Sequence, residues 1–216
     1  MKVLAVDTAL GACSAALFED AHVLARRFEP MERGHAERLA PMVGEVMQEA
    51  KIEFLSVDRL AVTTGPGTFT GQRVGLAFMR GLRVALHRPL IGITTLAAMA
   101  AQAKAETGAV LAIALHDARR DEVYIEIEDR LPPSVMPFDD AIAMLRELPV
   151  DGSIVLAGTG ASRACDALAN KFKLSSVRQP DALWVARLAT GAETTNIPPR
   201  PLYLRAPDAK LPAMKA

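Results

Sequence analysis

The chain has 216 residues, half of them hydrophobic, with 25 Lys plus Arg balanced by 25 Asp plus Glu. That length buries a core of ordinary size in one domain or two small lobes, and zero net charge excludes the broad basic footprint of a protein that grips nucleic acid unaided, so any RNA role is expected to run through a partner. Two distant cysteines, Cys13 and Cys165, lack C-x-x-C spacing and neighbouring histidines, which fits reduced thiols in a cytoplasmic protein better than a disulfide scaffold or zinc site.

Residues 1–7 read as a strand rather than a signal peptide, and no apolar run is long enough to suggest a membrane span. Three short strands, residues 2–8, 13–19 and 22–28, are expected to form an antiparallel meander. A helix follows over residues 35–51. Its apolar stripe is Leu39, Met42, Val43, Val46, Met47 and Ala50 at three- and four-residue steps, and Pro41 sits early, where a missing N–H costs little.

Next comes a strand at residues 60–64, the loop Gly65-Pro66-Gly67-Thr68-Phe69-Thr70-Gly71, and a second helix over residues 70–87. That helix is apolar nearly all round, with Val74, Phe78 and Leu82 prominent and a small ridge of Ala77, Gly81 and Ala85, so it is either deep in a core or offers a second face to another chain. A strand at 90–95 and an alanine-rich helix at 96–106 complete a first lobe, residues 1–108. A second lobe, residues 109–196, opens with a hairpin of strands 110–116 and 123–128. Helix 139–148, strand 153–157, helix 161–172 and helix 181–190 follow, the last holding Trp184, the only tryptophan. Residues 197–216 carry five prolines and read as an extended tail. A meander followed by alternating helix and strand predicts an α/β protein with mixed sheets and flanking helices.

The glycine loop is a candidate anion or nucleotide site. Gly65 and Gly67 permit unusual backbone angles, Thr70 can cap the helix, and exposed N–H groups at a helix start carry partial positive charge. A Walker loop needs Lys-Ser or Lys-Thr after the last glycine, where Gln72-Arg73 stand, and a dinucleotide fingerprint fails on spacing and on the missing acid. The same glycines would serve a tight strand-to-helix turn, and the residues leave both readings open. Asp7, at the end of the first strand, is either an acid near phosphate and magnesium or a polar cap in the meander turn. His35 is a partner contact, a base or a helix-entry hydrogen bonder; Cys13 and Ser14 have no sequence-local base; Arg119 and Arg120 are solvated charges or contacts to a partner.

On these residues the chain resembles the TsaB family, the B component of bacterial threonylcarbamoyladenosine synthesis on tRNA. The resemblance is carried by Leu4-Ala-Val-Asp-Thr8 with Cys13-Ser-Ala-Ala16, by Gly34-His-Ala-Glu-Arg-Leu39 with Pro41, by the Gly65 loop with Arg73 and Gly75, by Asp117-Ala-Arg-Arg120, and by Pro201-Leu-Tyr-Leu-Arg205. It implies the two-lobed ASKHA fold of actin and sugar kinases. It further implies that acyl transfer belongs to TsaD, a larger paralogue with which a TsaB-like chain pairs, and that an ATPase, TsaE, joins the pair. Where the paralogue has a His-x-x-x-His metal pair this chain has Thr95 and Met99, so no metal is expected. The expectation is therefore a non-catalytic partner of TsaD that pairs through Leu39, Met42, Val43, Val46, Met47, Val74, Phe78 and Leu82. It forms a homodimer when alone, reaches tRNA through the complex, and has no cofactor, with Asp7, Gly65, Gly67 and Thr70 as a residual anion or nucleotide loop. The alternative is a stand-alone ATP-dependent kinase or carbamoyl transferase of the same fold.

Overall fold

The computed structural model describes residues 1–149 and 152–205. The first sheet is built from β1 (Lys2–Asp7), β2 (Ala12–Glu19), β3 (His22–Pro30), β4 (Arg59–Gly65) and β5 (Leu90–Thr94) in the order β3-β2-β1-β4-β5. The meander is antiparallel, and β4 and β5 add in parallel. The second sheet repeats this plan with β6 (Leu111–Asp117), β7 (Glu122–Ile127), β8 (Leu131–Pro137), β9 (Ile154–Ala157) and β10 (Lys173–Leu174), ordered β10-β9-β6-β7-β8.

Helices fall at matching places in the two halves. α1 (His35–Ala50) follows β3, α2 (Phe69–Leu86) links β4 to β5, and α3 (Thr95–Thr107) follows β5; α4 (Phe138–Arg146), α5 (Ala161–Ala167) and α6 (Ala182–Gly191) occupy the same places in the second half. The chain is a structural duplication that its sequence does not display as a repeat.

β1 is buried on both faces, so its side chains split by the period of two. Leu4 and Val6 join the α1 and α2 side, whereas Val3 and Ala5 pack against Ala182, Val185, Ala186 and Ala189 of α6. The small side chains of Ala5, Ala16 and Ala61 let α6 approach the sheet closely. α3 crosses the other way: Leu96, Met99 and Ala103 pack on Ala112, Ala114, Val155 and Ala157 of the second sheet. Each half thus closes the other half's sheet with its final helix, and α6, expected among the second-lobe elements, covers the first sheet.

Other differences from the sequence expectation have local causes. The strand β8 carries Pro132 and Pro133 and was not anticipated; it is an edge strand, where a missing N–H breaks no interior ladder. α5 ends at Ala167 because Ala169 and Asn170 take positive φ, which releases the chain into β10. The tail is extended as expected up to Arg205 and is also docked: Leu202 N–H donates to Thr64 O at 2.8 Å and Arg80 to Pro199 O at 2.5 Å. Residues 206–216 of that tail lie outside the described residues.

The stripe on α1 corrects a second expectation. Leu39, Met42, Val43, Val46 and Met47 are at most 4% exposed, packed on the sheet among Leu4, Val6, Leu17 and Leu60, and so are unavailable to a partner. An amphipathic stripe marks the face a helix must bury, and here the chain's own sheet buries it. Val46→Asp is accordingly expected to abolish the cooperative urea transition, whereas Gln48→Asp on the exposed side should stay within about 0.5 kcal/mol of the parent; circular dichroism during urea titration reads both.

Candidate functional site

β4 ends at Gly65, whose φ of 111° suits only glycine, and a cis peptide joins it to Pro66. Thr68, not Thr70, caps α2: its Oγ1 accepts from Gly71 N–H at 3.0 Å, while Thr70 is exposed.

The turn between β1 and β2 is seated in the start of this helix. Thr68 N–H donates to Ala9 O at 2.8 Å; Thr8 Oγ1 donates to Gly71 O at 2.7 Å and accepts from Gly75 N–H at 3.0 Å. Gln72 Nε2 donates to Gly67 O at 2.9 Å. A Cβ on Gly67 would lie 2.3 Å from Ala9 O, and one on Gly71 would lie 2.2 Å from Thr8 O. Protein oxygens therefore stand where an anion would sit, and the glycines serve close packing of two loops. Asp7, Gly65 and Gly67 are brought together as the cradle reading requires, but the cradle is filled.

Asp7 is fully buried. Its Oδ1 accepts from Thr63 Oγ1 at 2.6 Å and from Ala9 N–H at 3.2 Å, and Oδ2 has no hydrogen-bond partner among the described residues. Burial pushes its carboxyl up to about 7, against the lowering effect of these two donors.

The remaining candidates have structural duties. His35 Nε2 lies 3.0 Å from Leu10 O and ties α1 to the same turn. Cys13 is buried against Met42, and burial pushes its thiol up to about 12; Ser14 Oγ accepts from Ala182 N–H at 2.9 Å and anchors the start of α6. Thr95 donates to Pro66 O at 2.6 Å and Met99 is core. Among the described residues no group of three His, Cys, Asp or Glu side chains is placed to hold a metal ion.

What the fold leaves open is the outer side of α1 and α2. On α2 the buried positions are Gly71, Gln72, Gly75, Leu76 and Met79, and Val74, Phe78 and Leu82 are half-buried against the same core. Ala77, Gly81, Val84 and Ala85 are exposed, Val84 at 68%. On α1 the exposed positions include Ala36, Ala40, Pro41, Gly44 and Gln48. A Cβ on Gly44 or Gly81 would meet nothing within 4 Å, although each costs about 1 kcal/mol relative to alanine in a helix. Among the described residues, nothing requires those two glycines. The α2 ridge is legible in the sequence as small residues four apart; its α1 counterpart, Ala36-Ala40-Gly44, is masked there by the larger apolar stripe opposite.

Residues 24–144 match the family model described as TsaD, tRNA N6-adenosine threonylcarbamoyltransferase. The tRNA threonylcarbamoyladenosine biosynthesis protein TsaB of Escherichia coli is 36% identical over 74% of this chain and 72% of its own length. A Pseudomonas aeruginosa protein described as similar to the peptidase YEAZ superposes with a TM-score of 0.77 at 30% identity, covering 94% of this chain and 99% of that one. An activator of 2-hydroxyisocaproyl-CoA dehydratase from Clostridium difficile shares the fold, with a TM-score of 0.50 at 11% identity over 88% of this chain and 94% of that one. The architecture is the two-lobed α/β fold of the actin-like and sugar-kinase-like proteins.

The burial of Asp7 is open to measurement. A carboxyl whose folded value is raised to about 7 binds its proton more tightly in the native state, so its contribution to stability falls as pH rises from about 4 to 7 and is flat above. His116, buried and held down at about 4, acts in the opposite direction below its ordinary range, so the parent must be compared with Asp7→Asn at each pH. The variant is expected to gain on the parent by on the order of 2–4 kcal/mol between pH 4 and pH 8, read from urea midpoints.

Proposed function

Because the chain belongs to the TsaB family of tRNA threonylcarbamoyladenosine biosynthesis proteins, we propose that it is the non-catalytic partner of a TsaD-type transferase, docking that paralogue on the outer side of α1 and α2. The observation that carries the reading is the pair of helical glycines, Gly44 and Gly81, that no described residue requires, on a solvent face of alanines and the exposed Val84. Small side chains let a neighbouring helix come close enough for backbone-to-backbone packing, and the energetic cost of glycine is offset only when that neighbour is present.

The interface so proposed revises the one expected from sequence. Val74, Phe78 and Leu82 contribute their exposed parts at its edge. Leu39, Met42, Val43, Val46 and Met47 lie beneath and hold the two helices on the sheet. The filled loop at the start of α2 and the structural employment of Asp7, Ser14, Cys13 and His35 support assigning the chemistry to the partner. A cytoplasmic setting, recruitment of a TsaE-like ATPase to the pair, and self-association through the same helical face when the paralogue is absent belong to this reading. By sequence, residues 1–108 then form the docking lobe, 109–196 the smaller lobe and 197–216 the tail, with α3 and α6 each seated on the other lobe's sheet.

Gly81→Leu and Gly44→Leu test it. Each is expected to leave the thermal midpoint equal to or above the parent's, because the added side chain enters open space and helix propensity improves. Each should weaken pairing with TsaD roughly 30-fold or more, from about 2 kcal/mol of overpacking at a close helix contact. Size-exclusion and calorimetric titration read the pairing, and reconstituted tRNA modification should fall with it. Pairing unchanged in both variants, or efficient modification by TsaD and TsaE without this chain, would overturn the proposal.

A further inference from the structure

The side of α2 away from α1 has a different chemistry. Phe69, Arg73, Arg80 and Arg83 recur at three-, four- and seven-residue steps and so share one flank, and the tail runs along it. Arg73 Nε donates to Tyr203 Oη at 2.7 Å, Arg80 to Pro199 O at 2.5 Å and Arg83 to Asn196 O at 3.2 Å. Each of these bonds uses one of several guanidinium donors and none neutralises the charge, since the acceptors are a hydroxyl and two carbonyls.

Charge is strongly segregated here. From residue 59 to 105 the chain carries five arginines and one lysine and not one Asp or Glu, and from 194 to 205 it has Arg200 and Arg205 and again no acid. Glu122, from the second sheet, pairs with Arg205; Arg200 is exposed.

At the end of this cationic strip two aromatic rings stand in solvent. Phe69 is 54% and Tyr203 47% exposed, yet they are already stacked, with centroids 5.8 Å apart and planes 24° from parallel. The Arg73 guanidinium lies 3.5 Å from the Phe69 ring centroid. An aromatic and guanidinium stack beside arginines bonded to neutral acceptors is a composition that suits single-stranded nucleic acid, the rings taking a base face and the arginines taking phosphate.

We propose that this flank of α2 and the tail, centred on Phe69, Arg73, Arg200 and Tyr203, contacts an unpaired segment of the tRNA directly while the paralogue holds the rest. The inference rests on the proposed pairing, which places this surface next to the docking face inside the assembly.

The test uses the chain reconstituted with TsaD and, separately, the chain alone at low salt, with a fluorescein-labelled anticodon stem-loop and a fully paired duplex of equal length as probes. In the assembly Tyr203→Ala is expected to weaken stem-loop binding about 5- to 100-fold, and Tyr203→Trp to keep most of it. Arg200→Ala, on an exposed side chain whose loss does not threaten folding, should weaken both probes and reduce the steepness of the salt dependence by nearly one ion. Pairing with TsaD should be unchanged in all three variants.

Stem-loop affinity unmoved by both alanine variants would overturn the proposal. So would weakened pairing with unmoved RNA affinity, which would make the surface a protein contact. Failure of the parent chain to pair would instead sink the docking reading, while the measurement on the chain alone would still judge the RNA surface.

Discussion

The seating of the Thr8–Ala9 turn in the start of α2 is the constraint on which the exposed faces of that helix depend. Thr8 uses its hydroxyl both to donate to Gly71 O and to accept from Gly75 N–H, and Ala9 O takes the N–H of the capping residue. The last of these satisfies an N–H that a helix start otherwise leaves unpaired, and the Thr8 hydroxyl bridges Gly71 O and Gly75 N–H, which stand four residues apart inside the helix. The same bonds fill the glycine loop at the start of α2, where backbone geometry would favour an anion, and they set the rotation of α2 about its axis. With Gly71, Gly75 and Leu76 pinned downwards, the small ridge at Ala77, Gly81 and Ala85 is turned outwards, and the arginine flank is turned to the tail.

The exchange of final helices does for the two halves what that turn does for α2. α6 is held on the first sheet by Ser14 Oγ at its first N–H, by the Arg26 pairing with buried Asp181, and by Arg59 reaching the carbonyls of Ala189 and Ala192 at its last turn. Gln179 accepts from Gly11 N–H at 3.0 Å, which links the approach to α6 with the seated turn. The duplicated halves are therefore tied through side chains at both ends of α6. The cost of separating them includes the apolar surface of alanines packed on alanines, which only close approach makes worthwhile.

Much of this was legible from sequence, and the failures have physical reasons. Periods of two and of three to four placed most strands and helices, because half-buried elements must alternate and amphipathic helices must show a stripe. The family resemblance, with the similarity to TsaB, carried the two-lobed architecture that periodicity could not. The α1 stripe was misread because Leu39 to Met47 state that a face is buried without stating by what; only the register of β1, β2 and β3 shows that the sheet fills that role. Thr70 and Thr68 are equally plausible caps in the sequence, and the choice is made by Ala9 O, which comes from 59 residues away. The duplication escaped because the halves share topology and not side chains, and α6 escaped because alanine-rich helices name no partner.

A net charge of zero is a sum, and the surface is not. The acids concentrate elsewhere: on the α1 side, Arg38 is held by Glu29 and Glu45, and Arg27 pairs with Glu49, so cations there are answered. Along α2, Arg73, Arg80 and Arg83 meet carbonyls and a hydroxyl of the tail. Guanidinium groups bonded to neutral acceptors keep their full field, and within a Debye length of about 8 Å at physiological salt that local field, rather than the chain total, is what a phosphate senses. The composition that excludes unaided binding of nucleic acid is thus compatible with a short cationic strip that works only when a larger partner brings the polyanion to it. Placing such a strip on the same helix as the outward glycine ridge makes the two surfaces depend on one helix rotation, so that on the proposed reading docking a partner and presenting the arginines would be a single geometric event.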